Sequence, residues 1–174
     1  MRFLPHVFSF CLLVLSLGLL SAQTPEKKLQ EAGIELPEAS QPVANYVKFR
    51  KVGNLIYLAG YGPCSMEGLK YGKVGKDLTI EEGYQAARAT GICLLATLKL
   101  AVGDLSRVKQ IVRVVGMVSS DPAFFDQPKV VNGCSDLMTE VFGEAGKHTR
   151  AAVGMAVLPN NIPVEITMIV EVED

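Results

Sequence analysis

The chain has 174 residues, 49% of them apolar and 20% charged, with few aromatics; this is globular composition at a length that fits one domain rather than two. Lys and Arg number 17 against 18 Asp and Glu, a net charge of −1. That balance lacks the basic footprint of a phosphate-backbone binder, so no nucleic-acid partner is expected.

The chain opens with Arg2 and then a nearly unbroken apolar run from Val7 to Leu20. The run is shorter than the roughly 20 residues of a spanning helix. Ser21 and Ala22 supply a small residue at a cleavage point, the layout of a secretory signal peptide. Residues 1–22 are therefore predicted to be removed, leaving an exported protein, periplasmic or secreted, with no membrane attachment. Cys11 lies inside the apolar run, which argues against a lipoprotein. Residues 23–42 are polar, carry prolines and show no sustained period, so they read as a linker or tail ahead of a domain at 43–174.

Tyr46 to Val52 alternates apolar and basic residues, the pattern of a half-exposed strand. Gly53-Asn54 is a tight-turn signal, and Leu55 to Ala59 completes a β-hairpin. Gly60 to Gly75 is rich in glycine and reads as loop. Thr79-Ile80-Glu81-Glu82 matches a capping box, and the helix it starts runs to Gly103. Val108 to Val118 is a long strand rich in valine, broken by Ser119 to Pro122. Pro128 suits the first turn of a second helix, which Gly143 and Gly146 close. Strands at about 150–158 and 163–173 end the chain. The order β-β-α-β-α-β-β predicts an α+β fold, a mainly antiparallel sheet with two helices on one face. The other face is left to water or to another subunit.

Beyond the leader, the cysteines are Cys64, Cys93 and Cys134, an odd number without C-x-x-C spacing. Neither a metal site nor a disulfide framework is indicated. Cys93 and Cys134 fall on apolar helix faces, where cysteine acts as a small hydrophobe. Cys64 follows Gly62-Pro63 in a loop, either as an inert residue or as the one plausible reactive thiol.

Residues Arg150 to Glu173 read as a terminal hairpin turning at Pro159 to Ile162. In that register Ala151, Val153, Met155 and Val157 face Val170, Met168, Ile166 and Val164 on the core side. Arg150, Ala152, Gly154 and Ala156 share the opposite face with Glu171, Ile169, Thr167 and Glu165. Arg150 then sits opposite Glu171, with a cross-strand ion pair as its plainest role. Glu165 lies about 20 Å from Arg150 in one chain, so a shared site would need two subunits or a strongly bent hairpin.

The stretch Arg150-Ala-Ala-Val-Gly-Met-Ala-Val-Leu-Pro, followed by Pro163-Val164-Glu165-Ile166, resembles the C-terminal signature of the RidA/YjgF family, also called endoribonuclease L-PSP, with a chorismate mutase-like fold. Val52 to Gly60 resembles the first hairpin of that family, and the likeness covers about residues 43–173. The resemblance implies a homotrimer with ligand clefts between subunits and no cofactor or metal. In deaminating members an Arg binds the carboxylate of a small 2-imino acid, and water hydrolyses the imine to a keto acid and ammonia. Arg150 matches that Arg, and Glu165 matches the Glu that positions or activates water. Tyr46, Gly60 and Asn132 match substrate-binding positions, and Tyr61 stands where the family has a polar residue. The polar residues after the family's Tyr are Val47 and Lys48 here, and the Cys two places after its Arg is Ala152. His148 is either a surface residue or a further site base.

An imine deaminase acting on a small carboxylate-bearing substrate is the leading expectation. A non-catalytic exported binding protein for carboxylate metabolites is the alternative, and an endoribonuclease is the least supported by the charge.

Overall fold

The structure is a computed structural model and describes residues 23–174; the expected signal peptide lies outside the described residues. The elements are α1 (Pro25–Glu31), β1 (Phe49–Val52), β2 (Leu55–Leu58), α2 (Ile80–Val102), β3 (Val108–Ser119), α3 (Gln127–Phe142), β4 (Thr149–Met155) and β5 (Val164–Val172). The fold is α+β and chorismate mutase-like, a mixed five-stranded sheet ordered β1-β2-β5-β3-β4 with helices packed on it.

Local chemistry places the expected elements. β1 and β2 pair antiparallel through Val52 and Leu55 across the Gly53-Asn54 turn. The capping box of α2 is complete: Glu82 N–H donates to Thr79 Oγ1, and Thr79 N–H donates to Glu82 Oε2. Lys70 also pairs with Glu82, and these contacts hold the carboxyl down at about 2. Leu94, Leu95 and Leu98 of α2 and Val130, Leu137 and Met138 of α3 are fully buried. They meet Val164, Ile166, Met168 and Val170 of β5, each side chain contributing about 1.5–3 kcal/mol of burial.

The terminal hairpin does not exist. β4 pairs with β3 in parallel, Arg150 beside Val114, and β5 pairs antiparallel with β3 on its other side, Met168 beside Val114. The long strand thus separates the two that follow it. A β3-α3-β4 crossover accounts for the parallel pair, and residues 156–163 then pass over the end of β3, where Ser119 N–H donates to the Pro163 carbonyl. Ala152 of β4 packs against the core, whereas Val153 is 42% exposed, so the faces expected for β4 are exchanged. Those expected for β5 are as observed. The Arg150–Glu171 pairing falls with the hairpin: Glu171 accepts from Asn54, Lys109 and Gln110 instead.

Two further differences bear on the chain's ends and cysteines. Residues 23–42, expected as linker or tail, contain α1, capped by Thr24 and anchored by Leu29 in the core. Seven residues with one buried position are too few to show a period. Cys64 and Cys93 form a disulfide, with Cα atoms 5.8 Å apart, tying the loop after β2 to the middle of α2. Neither cysteine is therefore a free thiol, and Cys134 is buried.

Candidate functional site

The expected site residues fall into two groups on opposite faces of the sheet. The first is built on the helix-covered face, where β4 runs beside α3. Arg150 follows the alternation that puts Val114 beneath α3, so its side chain reaches back to that helix. Its Nη1 donates to Asn132 Oδ1 at 2.7 Å and to Ser135 Oγ at 3.1 Å. Asn132 and Ser135 are three apart on α3, one above the other on a single helical face. Arg150 and Asn132, proposed separately from sequence, are therefore direct partners. Nη2 and Nε of Arg150 have no hydrogen-bond partner among the described residues, and Arg150 is exposed. That edge of the guanidinium is the one a carboxylate can grip with two parallel hydrogen bonds.

His148 continues this group. Its Nδ1 lies 2.7 Å from the Gly146 carbonyl oxygen, which can only accept, so Nδ1 carries the ring proton. Its Nε2 lies 3.0 Å from Ser135 Oγ. Burial pushes the ring below the usual imidazole range; the Gly146 carbonyl opposes that shift and the Arg150 cation adds to it. The ring is thus held neutral, with Nε2 as an acceptor. An open cleft of about 360 Å³ is lined by Ser135, Asp136, Thr139, Lys147, His148 and Arg150.

The second group lies where the end of β2 meets the start of β5. Backbone hydrogen bonds between Tyr61 and Ile166 extend that pairing past Leu58. Glu165 faces the side of the sheet away from the helices, next to Gly60: a Cβ on Gly60 would overlap Glu165 Oε1. Lys48 Nζ lies 5.5 Å from the Tyr46 ring centroid and 4.7 Å from that of Tyr61. Tyr46 is 43% exposed, whereas Tyr61 is a core residue whose hydroxyl accepts from Thr97 Oγ1 at 2.7 Å. Gly60 and Glu165 thus touch on the open face, while Lys48 links exposed Tyr46 to Tyr61, whose hydroxyl is turned into the core.

Arg150 and Glu165 therefore do not meet within one chain, and the reason is not the one expected. They lie on opposite faces of the sheet rather than at opposite ends of one hairpin face. Sequence reasoning passed over Ser135 and Lys48. Ser135 was detectable as a polar residue one helical turn from Asn132, while Lys48 stands where the resemblance leads one to expect an amide. Among the described residues no cluster of His, Cys, Asp and Glu is arranged to hold a metal ion.

A family model described as "YjgF/chorismate mutase-like, putative endoribonuclease" matches residues 26–172. The chain belongs to this family. Protein TCP17 of Trypanosoma cruzi is 41% identical over 148 residues, covering 84% of this chain and 92% of that protein. Among solved structures, Atu1372 of Agrobacterium tumefaciens is 43% identical with a TM-score of 0.79, covering 86% of this chain and 92% of that one. A family member from Shewanella oneidensis MR-1 is 38% identical with a TM-score of 0.82, covering 86% of this chain and all of the other. More distant proteins share the fold, among them Escherichia coli TdcF, solved with bound serine, at 20% identity and a TM-score of 0.55. It covers 79% of this chain and 94% of its own.

Proposed function

We propose that the chain is an imine deaminase whose site forms between copies of a homotrimer, the Arg150 group of one copy meeting the Glu165 group of the next. The observation that carries this reading is the half-engaged guanidinium. Asn132 and Ser135 hold Nη1 of Arg150, leaving the other edge of this exposed residue for a side-on carboxylate grip. The water-activating carboxylate is on the other face, so a complete site needs a second copy. TdcF, with serine bound, gives precedent for a small amino acid on this fold.

In the proposed reaction Arg150 binds the carboxylate of a small 2-imino acid and Asn132 keeps the guanidinium in place. Glu165 of the adjoining copy takes a proton from water as the oxygen adds to the imine carbon. The imine nitrogen gains that proton, giving the carbinolamine; Glu165 then passes the hydroxyl proton to the departing nitrogen as the C–N bond breaks, and ammonia leaves a 2-keto acid. Exposed Tyr46 and its neighbour Lys48 are proposed to meet the rest of the substrate. No cofactor or metal is required.

Export is part of the proposal. The Cys64–Cys93 disulfide supports an oxidising compartment, since such bonds persist in secreted and periplasmic proteins.

Keto-acid release from freshly generated 2-iminopropionate and 2-iminobutyrate, by protein starting at Gln23, tests the proposal. Wild type is expected to accelerate release, and Arg150→Ala to lose it. Ligand-induced stabilisation that depends on Arg150 but comes with no acceleration would replace the enzyme with a binding protein. Cleavage of an RNA substrate without imine turnover would return the family's endoribonuclease description to first place.

A further inference from the structure

The Ser135–His148 contact has features that imine hydrolysis does not use. The Gly146 carbonyl fixes the proton on Nδ1, so the 3.0 Å contact at Nε2 requires Ser135 Oγ–H to be the donor. Arg150 Nη1 donates to the same oxygen from 3.1 Å. One hydroxyl thus has a neutral imidazole accepting its proton and a fixed cation beside the charge that would remain. That is the arrangement of an activated nucleophile with an oriented base, a backbone carbonyl standing in for the usual carboxylate. Both residues are half-buried and both line the open cleft, so an electrophile can reach the oxygen.

The other charged groups facing the cleft leave this geometry intact. Asp136 accepts from the Tyr84 hydroxyl, and Lys147 pairs with Glu144. Neither contacts the His148 ring.

We propose that Ser135 is a nucleophilic serine, with His148 as its general base, acting on small esters that carry a free carboxylate. The open edge of Arg150 binds that carboxylate and so selects the substrate class. Ser135 Oγ attacks the ester carbonyl carbon while its proton passes to His148 Nε2. The carbonyl–alkoxy bond breaks, and the alkoxide takes the proton from Nε2 and departs as the alcohol. A water molecule then attacks the acyl-serine with His148 again as base, releasing the acid and restoring Ser135. The cycle needs no oxidant, reductant or further co-reactant.

This activity rests on the same Arg150 carboxylate grip as the proposed imine site but is read separately from imine turnover. Protein starting at Gln23 is treated with diisopropyl fluorophosphate, and the modified peptide is located by mass spectrometry. Hydrolysis of mono-p-nitrophenyl succinate is compared with that of the uncharged p-nitrophenyl butyrate. Labelling is expected at Ser135 and to disappear in Ser135→Ala. His148→Asn is the decisive variant, because its side-chain amide can keep the Gly146 hydrogen bond while removing the base. Its labelling rate is expected to fall by about 10²–10⁴-fold with the melting temperature retained. The charged ester is expected to be preferred by at least about tenfold, and Arg150→Ala to remove the preference. Wild type unlabelled at Ser135, labelling that His148→Asn does not slow, or equal rates on the two esters would each overturn the proposal.

Discussion

At the residue scale the Arg150 group and the Glu165 group differ in how tightly they are built. Gly60 and Glu165 touch so closely that any β-carbon on Gly60 displaces the carboxylate, which is the end of a flexible side chain rather than backbone. Gly60→Ala is therefore expected to leave stability within about 0.5 kcal/mol of wild type. The same change moves the proposed water-activating group by an ångström or more, so imine turnover is expected to fall by about 10²-fold. Thermal melts alongside keto-acid release separate the two effects. His148 provides a pH signature of the Arg150 group. Its folded pKa lies below the ordinary value because burial disfavours the imidazolium. As the pH falls through the ordinary imidazole range, the unfolded chain binds the proton first, and the stability held by the neutral ring is lost. Wild type is expected to lose stability more steeply than His148→Asn as the pH drops below about 6.5, measured by urea midpoints.

At the element scale, what was legible follows a simple physical division. The capping box, the Gly53-Asn54 turn and the apolar periods of α2 and α3 are local signals, and each marked an element that forms. Strand partners are not local. Alternation says which residues share a face, but not which strand lies alongside, so the Pro159–Asn161 turn passed for a hairpin loop although it spans β3. The faces of β4 were exchanged for a related reason. Ala151, Val153 and Met155 looked like core and face the open side, while exposed Arg150 reaches across to α3. Arg150 and Glu165 were found through resemblance, and their geometry had to come from the sheet. The helix layer rests on another close approach, which period alone could not reveal. A β-carbon on Gly133 of α3 would overlap the Tyr84 carbonyl in α2, and backbone cannot swing aside as a side chain can. Gly133→Ala is expected to cost about 1–3 kcal/mol despite the better helix propensity of alanine, read as a lower urea midpoint with an unchanged slope.

At the scale of the whole molecule, the sheet has one face under the helices and one that no other element covers among the described residues. Tyr57 and Val153 are each 42% exposed there, and Tyr57, Arg113, Val115 and Thr167 border a shallow hollow. Exposed apolar side chains on this outer face of the sheet fit burial against another copy of the chain. If that copy completes the site, Arg150 and Glu165 act from different subunits, and this can be read without a structure of the assembly. Arg150→Ala and Glu165→Gln are each expected to be inactive as pure proteins. Co-refolded in equal amounts, they are expected to form mixed assemblies in which, for the proposed homotrimer, each position at a site carries the intact residue half the time. A site with both intact is then expected about one time in four, so about a quarter of wild-type turnover returns on mixing. If Arg150 and Glu165 served one chain, no subunit in the mixture would carry both, and activity would stay at the level of the single variants. Recovery near a quarter supports shared sites; no recovery from co-refolded protein would mean that Arg150 and Glu165 must be intact in the same chain, and would overturn the shared-site reading.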